Sequence, residues 1–201
     1  MRLVKEKKLN ILKIMSNVNI YVEANPNPNS LKFVADRMLL SNNEIKDYPN
    51  AKSAIESPIA MALFEFKYID RVFIMSNFIT ITKNDLVDWD DVKLELRNFI
   101  KKFIEEEGKI IDTAINNKEE SKSLNDIDKK IIQILEEYIK PAVEQDGGAI
   151  QFESFQDGTV KVALQGACSG CPSSMITLKS GIEKLLKRFI PEVKEVVAEG
   201  V

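Results

Sequence analysis

The alternation of apolar and polar residues predicts four strands and a long helix in the first half of the chain. Short runs rich in β-branched and aromatic residues predict strands at 19–24, 31–35, 69–75 and 78–82, the last two joined as a hairpin. Apolar residues at helical spacing predict a helix from Asp90 to Glu107. Its expected buried positions are Val92, Leu94 or Leu96, Phe99, Ile100, Phe103 and Ile104.

Turn-forming residues predict where the turns, a loop and a short helix lie in this first region. Ser57 followed by Pro58 is typical of an N-cap and a first helical turn, and predicts a short helix at 59–64. The run 25–30 reads Asn-Pro-Asn-Pro-Asn-Ser and predicts a turn, because its prolines fix φ and remove two backbone donors. The polar stretch 41–50 predicts a loop. The first region therefore predicts a small sheet with helices.

The second region has its own pattern, and a polar linker separates it from the first. Residues 109–124 are largely charged, polar and aperiodic, as expected of a tether. Beyond them the order is helix, strand, strand, helix, strand, and we expect the helices to cover one face of a sheet. The predicted elements are a helix capped by Asn125 or Asp126 with apolar Ile127, Ile131, Ile134, Leu135, Tyr138 and Ile139, strands at 150–155, 159–165 and 193–198, and a helix from Pro172 to Phe189 with apolar Ile176, Leu178, Ile182, Leu185 and Leu186.

Together these patterns predict an α+β chain of two small α/β domains. The predicted boundaries are an N-terminal extension at 1–17, a first domain at 18–108, the linker at 109–124 and a second domain at 125–201. A kink or an end of the helix is expected near Pro141, because proline lacks a backbone donor.

The composition and the net charge of the chain exclude several classes of function. A net charge of −3 argues against nucleic acid as a partner, and no apolar run reaches the roughly 18 residues that would span a membrane. The chain contains no histidine, which removes Ser–His–Asp and Cys–His catalysis and imidazole metal ligands. The basic opening segment lacks the apolar core of a secretion signal. We therefore expect a cytoplasmic protein, in preference to one in a mitochondrial or other organelle matrix.

The two cysteines, Cys168 and Cys171, form a C-x-x-C turn between a predicted strand and a predicted helix. A thiolate is both a metal ligand and a nucleophile. The helix that begins at Pro172 favours negative charge on the sulfurs through its dipole and its unpaired N–H groups. Gly166 and Gly170 let the backbone turn tightly around them. Metal or redox chemistry is therefore expected at this turn.

The number of ligands limits the kind of metal centre. One chain supplies two thiolates, whereas a closed zinc site or an iron–sulfur cluster usually takes four ligands. A symmetric dimer completes the set most simply, with Cys168 and Cys171 from each chain around an exposed cluster. Spacing alone leaves three alternatives open: a thiol–disulfide redox protein, a zinc site shared by two chains, and two core cysteines. The flanking Gly and Ser residues oppose the last of these.

Around the cysteine turn the sequence contains the stretches 140–148 (KPAVEQDGG), 155–160 (FQDGTV), 164–174 (LQGACSGCPSS), 177–183 (TLKSGIE) and 190–193 (IPEV). With them, essentially all of residues 126–200 resembles the NifU C-terminal, or Nfu-type, iron–sulfur scaffold domain. The first region contains 23–33 (EANPNPNSLKF), 57–60 (SPIA) and 77–83 (NFITITK). With these stretches it resembles the Nfu N-terminal domain.

The resemblance implies a scaffold or carrier, not an enzyme, that binds a 4Fe–4S cluster and delivers it to apo-proteins. It implies that Cys168 and Cys171 are the cluster and metal ligands, with the cluster bridging the two subunits of a homodimer. A 4Fe–4S cluster is favoured over a 2Fe–2S cluster. The implied partners are apo iron–sulfur clients and an upstream cluster donor or cysteine desulfurase system. For the first domain, which carries no catalytic grouping, we expect binding of client or donor proteins.

Overall fold

The computed structural model describes residues 17–41, 44–106, 108–112, 124–169 and 172–200. Within them the chain forms a five-stranded sheet and a three-stranded sheet, each accompanied by helices. The predicted α+β class with two domains is therefore confirmed. The predicted extension, apart from its last residue, and most of the predicted linker lie outside the described residues. No described helix combines the length and the apolar character needed to cross a bilayer.

The N-terminal sheet is antiparallel throughout, with the strand order β1-β2-β5-β4-β3. The predicted hairpin is confirmed, with Ser76 at a positive φ of 49° in its turn. Ser57 caps the first helix by accepting from the Ala60 N–H, as the sequence predicts. The elements are β1 Ile20–Ala24, β2 Ser30–Ala35, β3 Ile45–Tyr48, a 3₁₀ helix Ala51–Ala54, α1 Pro58–Leu63, β4 Ile69–Met75, β5 Phe78–Lys83 and α2 Trp89–Glu106.

Helix α2 covers one face of this sheet and decides an ambiguity in the sequence. Leu96 and Ile100 are fully buried in the core, whereas Leu94 is 58% exposed. Leu96 is therefore the core residue of the two candidates. The helix ends at Glu106, and Gly108 follows it at a φ of +64°, a conformation typical of the residue after a helix.

The prediction of a loop at 41–50 is wrong, because β3 lies within it and pairs antiparallel with β4. This edge strand is short and carries Lys46 and Asp47 between Ile45 and Tyr48, so it lacks the apolar alternation of a typical strand. An ion pair of 2.8 Å between Arg71 Nη1 and Asp47 Oδ2 links the two strands. Polar pairing of this kind leaves no periodic signal in the sequence.

The C-terminal domain follows the predicted order, with helices on one side of the sheet β6-β7-β8. Strands β6 and β7 are antiparallel, and β8 runs parallel to β7. Asn125, not Asp126, caps the first helix, because its side chain accepts from the Asp128 N–H at 2.8 Å. The elements are α3 Asp126–Ile134, a π-helical segment Leu135–Ile139, α4 Lys140–Gln145, β6 Gly148–Gln156, β7 Thr159–Gly166, α5 Pro172–Phe189 and β8 Glu195–Gly200.

The helix is interrupted just before Pro141, near the predicted kink or end: a π-helical segment separates α3 from α4 and places the proline in the first turn of α4, where no N–H is needed. One feature of this domain differs from the prediction. Ile176 on α5 is 73% exposed and not part of the core, whereas Ile182 and Leu186 are fully buried. Periodicity places Ile176 on the apolar side of the helix but cannot tell where the core ends.

Candidate metal centre

The cysteine turn lies between β7 and α5, as the sequence predicts. β7 ends at Gly166 and α5 begins at Pro172, so the C-x-x-C motif falls in the connection between a strand and a helix N-terminus. The turn opens with Gly166 at a φ of +63°, and the Ser169 N–H donates to its carbonyl oxygen at 3.1 Å. Of the two predicted ligands, Cys168 is described, whereas Cys171 lies outside the described residues.

The side chain of Cys168 points into the C-terminal domain. Cys168 is 5% exposed and belongs to the hydrophobic core that includes Val143, Ile150 and Ile182. The close approach depends on Gly148, because a Cβ there would lie 2.9 Å from Cys168 Sγ. Burial of this thiol differs from the expectation that the small residues of the turn keep cysteine out of the core. The glycine opposite the thiol, and not the residues beside it, makes room.

A largely apolar cavity of about 440 Å³ adjoins the buried thiol. Helices α4 and α5 supply most of its walls, and the loop between β1 and β2 supplies Pro26. The cavity is open to the surface and places free space beside the sulfur. Its lining residues are Pro26, Ile139, Ala142, Val143, Asp146, Cys168, Thr177, Leu178, Gly181 and Ile182.

The loop between β1 and β2 also contacts the cysteine turn directly. Asn27 is 7% exposed, and its Nδ2 donates to the carbonyl oxygen of Ala167 at 3.0 Å, one residue before Cys168. The sequence predicts only a turn here. Because 140 residues separate the two partners, local sequence signals do not reveal the contact.

A buried carboxylate lies on the other side of the turn. Asp47 Oδ2 accepts from the Gly166 N–H at 3.3 Å and from Arg71. Burial raises the pKa of Asp47 above its ordinary value, and the opposing effects of the Arg71 charge and the Gly166 N–H do not cancel it. The carboxylate therefore serves to bind the backbone of the turn, and it lies on the N-terminal domain.

The donor set decides which metals fit. Within the described part of the chain, no group of three or more His, Cys, Asp or Glu side chains could hold a metal ion. Thiolates are the ligands of zinc and of iron–sulfur clusters, and both usually need four of them when histidine is absent. The two cysteines of one chain therefore make half of such a centre.

Comparison with known families defines the class of the protein. Residues 20–107 match the family described as "Scaffold protein Nfu/NifU N terminal", and residues 131–197 match the "NifU-like domain". The second match contains the cysteine turn and both cysteines. The two matches follow one another in the order of the two sheets and define a two-domain scaffold of the Nfu/NifU type.

Whole-chain relatives agree with this class. "NFU1 iron-sulfur cluster scaffold homolog, mitochondrial" of Drosophila willistoni is 37% identical over 92% of this chain and 66% of its own length. From Arabidopsis thaliana, "NifU-like protein 4, mitochondrial" is 38% identical over 90% of this chain and 65% of its own length. "NifU-like protein 5, mitochondrial", from the same plant, is 37% identical over 90% of this chain and 67% of its own length. The chain belongs to the Nfu/NifU-like family of iron–sulfur cluster scaffold proteins, and about a third of each relative has no counterpart in it.

The comparisons correct one prediction. The expectation of a cytoplasmic protein is wrong, because these relatives are named as mitochondrial proteins. A short basic segment does not by itself distinguish an ordinary terminus from a targeting segment, so the composition of the opening residues misled the prediction. These relatives are named as scaffold or NifU-like proteins and not after a catalysed reaction.

Proposed function

We propose that this protein carries a 4Fe–4S cluster between two copies of the chain and transfers it to apo-proteins. In each copy Cys168 and Cys171 are the ligands, in the domain that spans residues 125–201. The domain at 18–108 and the linker at 109–124 complete the chain after the extension at 1–17. By the names of its relatives, we infer that it acts in mitochondria.

One observation carries the proposal. The only two cysteines of a chain without histidine lie in one turn, between the end of β7 and the start of α5. The helix N-terminus favours the thiolate form that iron requires. One chain has half the ligands of a cluster, so a second copy supplies the remainder. A cluster held by few protein contacts suits assembly and transfer.

Anaerobic reconstitution with iron and sulfide tests the ligands. The wild-type chain should bind about four iron and four sulfide ions per two chains, with the Mössbauer spectrum of a 4Fe–4S centre. Cys168→Ser and Cys171→Ser should each abolish the cluster, because each removes two of four ligands from the shared site. Ser180→Ala, an exposed change on α5, is the matched control and should bind as the wild type does. Full loading of either cysteine variant would contradict the proposal.

A thiol–disulfide redox protein is the second candidate, since a C-x-x-C turn at a helix N-terminus also suits that chemistry. Reduction of insulin disulfides separates the two functions. A carrier should show no cysteine-dependent rate above background. A rate that both cysteine variants abolish, in a chain that takes up no iron, would favour the redox candidate.

The partners follow from the carrier role. We infer that apo iron–sulfur proteins accept the cluster, and that an upstream donor or cysteine desulfurase system supplies it. The N-terminal domain is expected to recognise clients or donors. A chain lacking residues 1–115 should then bind as much cluster as the full chain but transfer it more slowly to an apo-protein, and an unchanged transfer rate would contradict this role.

A further inference from the structure

The N-terminal domain of the chain lies against its own cysteine turn through one continuous surface, here called the docking face. The docking face combines the loop between β1 and β2 with side chains of β2, β3, β4 and β5. Its polar members form hydrogen bonds with the backbone on both sides of the turn. The residues that define the docking face are Asn27, Lys32, Asp47, Phe73, Met75, Phe78 and Thr80.

Hydrogen bonds fix the position of the docking face. Thr80 is 1% exposed, and its Oγ1 donates to the carbonyl oxygen of Gly147 at 2.7 Å. Lys32 Nζ donates to the carbonyl oxygen of Gln145 at 3.2 Å. Together with the contacts of Asn27 and Asp47, these bonds join the N-terminal domain to both segments that flank the buried thiol.

Two glycines of the C-terminal domain leave room for the docking face. A Cβ at Gly147 would lie 2.8 Å from Thr80 Oγ1, and a Cβ at Gly166 would lie 2.8 Å from the ring of Phe73. Both glycines also have positive φ angles, of 79° and 63°. Glycine is therefore required at both positions for two reasons: the positive φ angle, and the lack of space for a side chain against the docking face.

The composition of the contact favours reversible docking. Its apolar part is a small cluster in which Phe73, Met75 and Phe78 meet Ala149. The remainder consists of hydrogen bonds between side chains and backbone groups, which water replaces at little net cost when the domains part. Interfaces of this mixed kind between domains of one chain permit relative motion.

We propose that the docking face binds the cluster-free cysteine turn of its own chain, and that this closed form excludes the cluster-bridged dimer. That the closed form excludes the dimer rests on the proposed function, in which a second copy of the chain must reach the sulfurs of the first. Pro26, next to Asn27 in the same loop, lines the cavity beside Cys168, so the docked loop stands where a second copy would approach the sulfur. Cluster loading then uncovers the docking face, and the empty and loaded proteins present different surfaces.

The test measures access to the Cys168 thiol in the full-length chain without any cluster. In a Cys171→Ser background Cys168 is the only thiol, and iodoacetamide alkylates it at a rate that mass spectrometry follows. The closed form should react slowly, compared with the same chain unfolded in urea. Loss of docking should raise the rate.

A matched pair of variants targets the docking face. Asn27→Asp keeps the acceptor that the Asn29 N–H uses, but it replaces the donor to Ala167 by a carboxylate oxygen. Asn25→Asp makes the same charge change two residues away and keeps the acceptor that the Ser30 hydroxyl and the Asn27 N–H use, both within the N-terminal domain. We expect Asn27→Asp to raise the alkylation rate about tenfold and Asn25→Asp to leave it within about twofold. Equal rates in both would overturn the proposal.

A second variant guards against misfolding. Thr80→Val replaces threonine by a residue of the same shape that lacks the hydroxyl bound to Gly147, so it should raise alkylation in a folded chain even if Asn27→Asp does not fold.

With both cysteines present, Asn27→Asp and Thr80→Val should take up clusters faster than wild type. Rates of uptake equal to wild type would overturn the exclusion. Absence of any cluster in all chains would count against the proposed function alone, because alkylation needs no cluster.

Discussion

At the scale of single residues, Gly166 shows how a missing side chain shapes the cysteine turn. Its φ of +63° lies in the left-handed region, where a Cβ is strained. A Cβ would also lie 2.8 Å from the carbonyl oxygen of Gly147 and equally close to the Phe73 ring. The backbone of the turn, the strand before it and the N-terminal domain therefore meet at this glycine.

The substitution Gly166→Ala should lower the free energy of unfolding by about 1–3 kcal/mol, because the added methyl group meets both strain and backbone atoms. Urea denaturation followed by circular dichroism measures the change. The control is Gly181→Ala on α5, where no atom lies within 4 Å of the added Cβ. That change should raise the stability by about 0.5–1 kcal/mol, since alanine favours a helix. Equal effects of the two substitutions would contradict this account of Gly166.

Sequence patterns identify the cysteine turn but not the environment of each thiol. The C-x-x-C spacing, its glycines and the helix start at Pro172 are local features, and the structure has the turn where they predict it. Burial of Cys168 depends on Gly148, which lies on a neighbouring strand. Small residues beside a cysteine therefore say little about its exposure when the space is made by another strand. The ligand roles of the two cysteines stay a prediction.

At the scale of elements, α2 illustrates how a helix divides its residues between core and solvent. Leu96 is fully buried against the N-terminal sheet, and Leu94 is exposed on the opposite side. Leu96→Ala should lower the free energy of unfolding by about 2–5 kcal/mol, because it leaves a cavity. Leu94→Ala should change it by no more than about 0.5 kcal/mol. Chemical denaturation of both variants checks the pair, and a large cost at Leu94 would refute the assigned face.

A hydrogen bond between Glu183 on α5 and Val196 on β8 predicts that the stability of the chain depends on pH. Glu183 accepts from Lys187 Nζ at 2.6 Å and from the Val196 N–H at 3.1 Å, and these two hydrogen bonds lower its pKa. A carboxylate with a lowered pKa in the folded state contributes stability above its unfolded pKa of about 4.3 and loses it as the pH falls through the folded pKa.

The free energy of unfolding, measured between neutral pH and pH 3, checks the role of the Glu183 carboxylate. The wild type should lose stability more steeply below about pH 4.3 than Glu183→Gln does, because glutamine does not titrate. Glu199→Gln, an exposed change at the end of β8, serves as the control and should follow the wild type. Parallel curves for the wild type and Glu183→Gln would contradict the role of this carboxylate.

The elements that sequence patterns miss have a common cause. β3 is an edge strand whose Asp47 forms an ion pair with Arg71 on β4, so its alternation is not one of apolar and polar residues. Between α3 and α4 a π-helical segment places Pro141 in the first turn of α4, where its missing N–H costs no hydrogen bond. Patterns of hydrophobicity record burial, whereas ion pairs and local helix geometry satisfy the backbone without leaving such a record.

At the scale of the whole molecule, the two domains contact each other beside the cysteine turn through hydrogen bonds to Gly147, Gly166 and Ala167. Family motifs in both regions predict two domains of the Nfu/NifU type, and the comparisons confirm that class. Their mutual contact is invisible in the sequence, because Asn27 and Ala167, or Thr80 and Gly147, are far apart along the chain. The docking face therefore emerges only from the folded chain.

The central claim is that two chains share one cluster, because each brings two of the thiolates that the cluster needs. Native mass spectrometry after oxygen-free loading tests it directly, since it counts chains, iron and sulfide in one particle. The account predicts a species of two chains with a single 4Fe–4S unit, and cluster-free chains beside it. A complete cluster on a single chain, or no cluster on any chain after loading, would contradict it.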